Sequence, residues 1–411
     1  MARFAEPVIG LLPSRTSEYT RLRLKTTLRP FAQIMKIDAF LTEQFFTEYE
    51  FSSPYLLAAS DCETMSIGDL LAMSGSSLAQ LGEIQLGYTE SQGNPQLRKQ
   101  ISEMYLEASP DDIVVLTSPV EGIYLAMQTL LEKEDEVVAL RPAYDALTNV
   151  AQHLCHQVLP WNLVPSTESW TLNFEELDSL VNEKTKLIIV NFPHNPTGYL
   201  PSPEEFERLV AFARDRGIWL FCDEIYRGLE WGHTIPSAAD LYEKSIVLCG
   251  LSKTYGLPGL RAGWVVIRDE TIRTELINWK HYTTICPASP TEFLASQAIR
   301  VRAALAERSK SIIEANLELC ETFFEKHHQL FTWRRPQAGS VAFVEMNQNQ
   351  LVNSSAEAFC HNLARDKGIV LLPGTCLGYE DRFVRMGLGR SGFQAALNAL
   401  DQCLDQGYTG A

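Results

Sequence analysis

Lys253 and Arg261 stand eight residues apart in one stretch, Cys249 to Trp264, which reads C-G-L-S-K-T-Y-G-L-P-G-L-R-A-G-W. The apolar run Ile246 to Cys249 leads into it and has the character of a buried strand. A lysine at the end of a core strand can have a depressed pKa, and its amine can form a Schiff base with a carbonyl. An arginine on a tight loop suits a phosphate, because its planar fork binds two phosphate oxygens at once. Together they describe a site for an aldehyde that carries a phosphate, and pyridoxal phosphate (PLP) is that molecule. One lysine in one loop is ordinarily a solvated charge, so this reading needs the rest of the chain to supply the other parts.

Four further residues supply them. Asp223 opens D-E-I-Y-R just past an apolar run, where a carboxylate can keep a pyridinium nitrogen protonated and so make PLP an electron sink. Tyr226, three residues on, can donate to a phenolate oxygen, and Asn195 in N-F-P-H-N-P-T-G can donate to the same atom. Tyr144, in R-P-A-Y, can stack on a ring. Singly each is ordinary: N-P-T-G is a turn, and Asp-Glu often ends a strand. Their order around the lysine makes the set specific.

The elements that must position these residues alternate. The pattern predicts helix 95–107, strand 113–117, helix 121–131, strand 136–140, helix 144–154, strand 187–190, helix 203–216 and strands 218–222, 246–249 and 263–267. Ser202 and Glu205 form a capping box with Pro203 at the first helical position. Such alternation predicts an α/β fold: a mostly parallel central sheet with helices on both faces. Ligands in these sheets bind beyond the carboxyl ends of the strands. Ser118, Tyr144, Asn195, Asp223 and Lys253 each follow one of the predicted strands.

After Arg268 the pattern changes to a long helical stretch, 271–326, broken at Pro287 and Pro290. Strand-like runs 341–346, 369–372 and 383–386 follow, with helices 355–367 and 394–405. This predicts a smaller α/β C-terminal domain over 271–411, beside a large domain over 81–270 and an N-terminal arm, 35–80, packed on the site. In that arm Phe40, Phe45, Phe46 and Tyr49 are expected on one helical face, with Glu43, Glu48 and Glu50 beside it. Residues 1–34 are rich in Arg, Ser and Thr, as in a transit peptide. An over-long start ahead of Met35 fits them equally well, and either way they are expected to be poorly ordered and outside the catalytic fold.

Composition narrows the function classes. The chain has 411 residues, 45% of them hydrophobic, and a net charge of −16, which opposes broad binding to nucleic acid or anionic membranes. Nine scattered cysteines without a C-x-x-C pair read as reduced thiols in a cytoplasmic protein, with no metal site. No apolar run approaches the length of a membrane span.

From about residue 37 to 405 the chain resembles the fold-type I PLP enzymes, the class I/II aminotransferase superfamily. The resemblance implies that Lys253 carries the cofactor as a Schiff base and that Asp223 pairs with the pyridine nitrogen. It implies Asn195 and Tyr226 at the 3′-oxygen, Tyr144 over the ring and Arg261 on the phosphate. Ser118, Val120, Glu121 and Ser252 fall in the phosphate-binding positions. Arg385, in F-V-R-M-G, matches the arginine for the substrate α-carboxylate. Tyr88, in L-G-Y-T, matches the tyrosine that reaches the phosphate of a neighbouring subunit, so the resemblance also implies a homodimer with shared sites.

Three departures stand out. Gly250 replaces a phosphate-binding Ser or Thr three residues before the lysine, and Pro119 replaces the glycine of the phosphate loop. The loop usually written G-E-P-D reads A-A-S-D-C-E, which makes Ser60, Asp61 and Glu63 candidates for the substrate side together with Glu43.

The phrases Y-E-F-S-S-P-Y-L-L-A-A-S-D-C-E, S-P-V-E-G-I-Y and L-G-Y-T-E-S resemble a narrower branch. It includes PLP cyclases that close hydroxylated arginine into a cyclic guanidino amino acid, as in capreomycidine and enduracididine formation. Two activities on a small amino acid therefore stand open: cyclodehydration of a hydroxyarginine, whose guanidinium the acids would hold, and ordinary transamination with 2-oxoglutarate or another keto acid. A PLP-sensing regulator would need a DNA-binding domain ahead of residue 37, and the stretch there is too short to fold one.

Overall fold

The apolar runs become strands of a seven-stranded sheet in a computed structural model that describes residues 37–351 and 354–410. The expectation for residues 1–34 lies outside the described residues. In chain order the strands are β1 (Ile113–Leu116), β2 (Glu136–Arg141), β3 (Gln157–Asn162), β4 (Thr185–Asn191), β5 (Trp219–Asp223), β6 (Ser245–Gly250) and β7 (Gly263–Ile267). Their order in space is β1-β7-β6-β5-β4-β2-β3. β2 to β6 pair in parallel, and β7 runs antiparallel to both β1 and β6.

Helices cover both faces, so the central strands are apolar throughout rather than alternating. Along β6, Val247 and Cys249 enter one core while Ile246 and Leu248 enter the other. The predicted capping box is present: Glu205 N donates to Ser202 Oγ at 3.2 Å, and Ser202 N to the Glu205 carboxylate at 2.9 Å. β3 escaped the sequence pattern because it is a half-exposed edge strand carrying Pro160, a residue that only an edge tolerates.

The expected 271–326 stretch is three helices: Glu270–His281, Ser289–Arg300 and Arg302–Lys326. The first break holds Pro287, and Pro290 sits in the first turn of the next helix, where its missing N–H costs no bond. The second break, at Val301, has no proline to announce it.

Beyond them a four-stranded antiparallel sheet is built from β8 (Phe331–Thr332), β9 (Val341–Met346), β10 (Leu372–Pro373) and β11 (Phe383–Gly387), in the order β8-β9-β11-β10. The run 369–372, expected as one strand, divides. Ile369–Val370 pairs in parallel with Tyr55–Leu56, which ties the N-terminal segment to this part of the chain.

Helix α1 (Leu41–Tyr49) divides its aromatic residues as well. Phe45 and Tyr49 are buried against His361, with ring centroids 5.2 and 5.6 Å away. Phe46 turns to another face, so the single aromatic face expected from the sequence is two.

Candidate active site

The carboxyl ends of β1, β2, β4, β5 and β6 open onto one cavity of about 590 Å³. Ser118, Tyr144, Asn195, Asp223, Ser252 and Lys253 line it from these ends, as the strand order predicts for a ligand site. Val120, Tyr226 and Arg261 join them, and Glu43, Ser60, Asp61 and Arg385 reach the same cavity from distant parts of the chain.

Lys253 Nζ donates to Ser60 Oγ at 2.8 Å. Burial lowers the lysine pKa from its ordinary value, against the raising effect of the Asp61 charge. Asp223 is buried, and desolvation pushes its carboxyl up to about 7 even though Oδ1 accepts from Ile225 N at 3.0 Å. Asn191, at the end of β4, links two site residues: its amide donates to Asp223 O at 2.7 Å, and its Oδ1 accepts from Asn195 N at 2.7 Å. The sequence reading passed over Asn191, whose only signal is its place four residues before Asn195.

Arg385 on β11 is 1% exposed. It donates to Asn195 Oδ1 at 3.2 Å and to Ala58 O at 2.9 Å, while among the described residues nothing accepts from its buried Nε. Its guanidinium lies 5.8 Å from the centroid of the Phe46 ring. Tyr144 donates to Glu43 at 3.0 Å, and burial, then the Glu43 charge, raises its phenol pKa. Burial likewise raises the Tyr226 phenol, with Arg385 opposing.

Helix α2 (Pro119–Leu130) presents its N-terminus to the cavity through Ser118, Pro119 and Val120. A helix start favours an anion through its free N–H groups and dipole. Arg261 lines the same cavity, its backbone in the left-handed region at φ 51°.

Three expected site residues are not on the cavity wall. The Glu121 carboxylate accepts from Thr117 N at 2.8 Å and from the Thr283 and Thr284 hydroxyls, so it ties the start of α2 to the loop that carries these threonines. Glu63, expected on the substrate side, accepts from Ser391 N and Oγ, both at 2.8 Å. Tyr88 is 90% exposed in the protomer. Asp61 does line the cavity, but Arg390 already holds it in a two-pronged ion pair, with Nε–Oδ1 at 3.2 Å and Nη2–Oδ2 at 2.6 Å. One acid was missed. Glu50 lies on the wall with Glu43 and Phe46, at the i, i+3, i+7 spacing of a helical face, which the sequence does display.

Residues 66–400 match the model of the family described as aminotransferase class I and II. The chain belongs to that family. It is a PLP-dependent enzyme of the aminotransferase fold, working on small amino compounds. The aspartate aminotransferase of Thermotoga maritima is 27% identical over 80% of this chain and 83% of its own. The capreomycidine synthase of Streptomyces vinaceus is 27% identical over 84% of this chain and 88% of its own. A PLP-dependent aminotransferase from Streptococcus suis superposes with a TM-score of 0.84 at 28% identity, covering 91% of this chain and 99% of that one.

The site fits PLP on its own chemistry. Burial keeps the Asp223 carboxyl raised although the Lys253 charge opposes the shift, and a protonated ring nitrogen would supply a cation to hold it ionised. The α2 N-terminus and Arg261 suit a phosphate, and Lys253 is a buried amine with a lowered pKa.

Proposed function

We propose that this enzyme is a cyclodehydratase that converts a hydroxylated L-arginine into a cyclic guanidino amino acid of the capreomycidine or enduracididine type. The observation that carries the reading is the set of acids on the cavity lining. Glu43, Glu50 and Asp61 all line it, and the Glu50 carboxyl has a raised pKa from burial and then from Asp61 and Glu43. A substrate with a distal carboxylate would meet like charge there, whereas a guanidinium relieves it through paired hydrogen bonds. The resemblance to a capreomycidine synthase supports this choice, and that to an aspartate aminotransferase supports transamination as the second reading.

Bound PLP supplies the electron sink that makes the substrate Cα–H acidic and lets a side-chain hydroxyl depart. Arg385, whose Nε has no acceptor among the described residues, holds the α-carboxylate. Lys253, the lysine on the cavity lining, takes the proton from Cα. Glu43 and Glu50 hold the guanidinium, because Asp61 is occupied by Arg390. Phe46 lines the same cavity, its ring centroid 5.8 Å from the Arg385 guanidinium, and offers the apolar part of the substrate a surface. One water leaves, one C–N bond closes the ring and no keto acid is consumed.

Incubation with a panel of hydroxyarginines, followed by mass spectrometry, tests the reading. The expected product has lost one water and forms equally well without 2-oxoglutarate. A product that appears only with 2-oxoglutarate, beside glutamate, would give the second reading.

We also infer a homodimer with shared sites. Leu86, Tyr88, Tyr282 and Ile285 are exposed apolar side chains. The segments that carry them are joined by Thr89 Oγ1 to Pro287 O and Ser289 Oγ to Gly87 O, both 2.9 Å, so they form one patch. Mixing Lys253→Ala chains with Tyr88→Phe chains should restore activity through heterodimers that keep one intact site. An active monomer in light scattering would contradict the dimer.

A further inference from the structure

We propose that Ser60 carries the proton that Lys253 takes from Cα onward to the departing hydroxyl. The inference rests on the cyclodehydratase reading. Loss of a hydroxyl needs two proton movements: a base removes Cα–H, and an acid protonates the oxygen that leaves, since hydroxide is a poor leaving group. Lys253 serves the first. The structure places one hydroxyl directly on its amine, Ser60 Oγ at 2.8 Å.

Ser60 is held for such a task. Its carbonyl accepts from Ser340 Oγ at 2.6 Å. On one side of it, Leu57 O accepts from Gly387 N at 2.6 Å and Ala58 O from Arg385 at 2.9 Å; on the other, Glu63 N donates to Gly389 O at 2.7 Å. The approach is so close that a Cβ on Gly387 would stand 1.7 Å from Ala59 O, and one on Gly389 2.6 Å from Asp61 O. Both glycines are therefore required for the loop to sit where it does. A hydroxyl fixed by its backbone on both sides is preorganised, and no reorganisation delays the transfer.

Two of the neighbouring acids are already engaged, and Glu50 is assigned to the guanidinium. Asp61 is paired with Arg390, and Glu43 accepts from Tyr144. The balance closes. Cα–H and the C–O bond break, Lys253 becomes an ammonium and gives its proton to Ser60 as Ser60 gives its own to the leaving oxygen, and water departs. Lys253 ends as a neutral amine and Ser60 as a hydroxyl, with nothing oxidised or reduced.

Ser60→Ala and Ser60→Thr, compared with the unaltered enzyme on a hydroxyarginine it cyclises, test the proposal in deuterium oxide. Ser60→Ala is expected to wash the Cα proton into solvent at close to the original rate while losing water about a hundredfold more slowly, and Ser60→Thr to recover most of the loss. In the cofactor-free chain, the pH midpoint for acylation of Lys253, read by peptide mapping, should fall in Ser60→Ala and return in Ser60→Thr, because the ammonium loses an acceptor. Equal slowing of exchange and water loss would mean that Ser60 only places Lys253, and would overturn the relay. Unchanged water loss in Ser60→Ala would overturn it as well. If the unaltered enzyme dehydrates no hydroxyarginine, the cyclodehydratase reading falls first, and the relay with it.

Discussion

Pro119 and Gly250 share one space: a Cβ on Gly250 would stand 2.8 Å from Pro119 Cγ. Gly263, across the β6–β7 pair, meets the same ring at 2.9 Å. The two departures from the family's phosphate loop are therefore one coupled change. A proline at the start of α2 fills the volume that a Ser or Thr at position 250 would need. Gly250→Ser alone should destabilise the protein by about 1–3 kcal/mol through overpacking. Adding Pro119→Gly should recover part of that loss by reopening the space. Thermal melts of the two variants check this, and equal destabilisation with and without Pro119→Gly would refute the coupling.

Asp223 gives a pH dependence with a definite sign. Its carboxyl, ordinarily near 3.8, is pushed up to about 7 by burial in the folded, cofactor-free chain. The folded state thus binds a proton that the unfolded state has released, so this group lowers stability as pH rises from about 4 to 7. Asp223→Asn removes the term. Between pH 5 and pH 8 the cofactor-free variant should gain melting temperature relative to the unaltered cofactor-free chain. An equal difference at both pH values would mean that Asp223 is not desolvated. The same variant should bind PLP weakly and be nearly inert.

Borohydride reduction of the yellow holoenzyme should fix the cofactor on Lys253. Lys280 is also buried with a lowered pKa, but it donates to Thr284 at 2.8 Å and does not line the cavity. Peptide mapping decides, and label on Lys280 or on no lysine would remove Lys253 from its role.

The acids should divide by what already holds them. Glu50→Gln and Glu43→Gln should each cost roughly tenfold or more in kcat/KM for a guanidino substrate, the value of one charge-assisted contact, and little for an apolar amino acid. Glu63→Gln should be near neutral, since an amide oxygen still accepts from Ser391. Kinetics on both substrates check this. Equal losses on both would mean that the acids support the fold rather than read the guanidinium.

Ser118, Tyr144, Asn195, Asp223 and Lys253 were legible in the sequence because each ends or follows a strand buried along nearly all its length, and such strands leave apolar runs such as Ile246–Cys249. The substrate side was not. Asp61 meets Arg390 across 329 residues and Glu63 meets Ser391 across 328, so nothing local tells the bound acids from the free ones. Glu50 was within reach of helical spacing, but the aromatic residues around it suggested a single packed face that α1 divides in two. The Pro119–Gly250 contact joins a helix start to a strand end and has no signature in either segment alone.

The most direct test follows one atom. A hydroxyarginine labelled with 15N at the α-amino group, incubated with the holoenzyme and 2-oxoglutarate, should give a cyclic product that keeps the label on Cα, with unlabelled glutamate or none. Label passing into glutamate while an uncyclised keto acid accumulates would contradict the cyclodehydratase and establish transamination in its place.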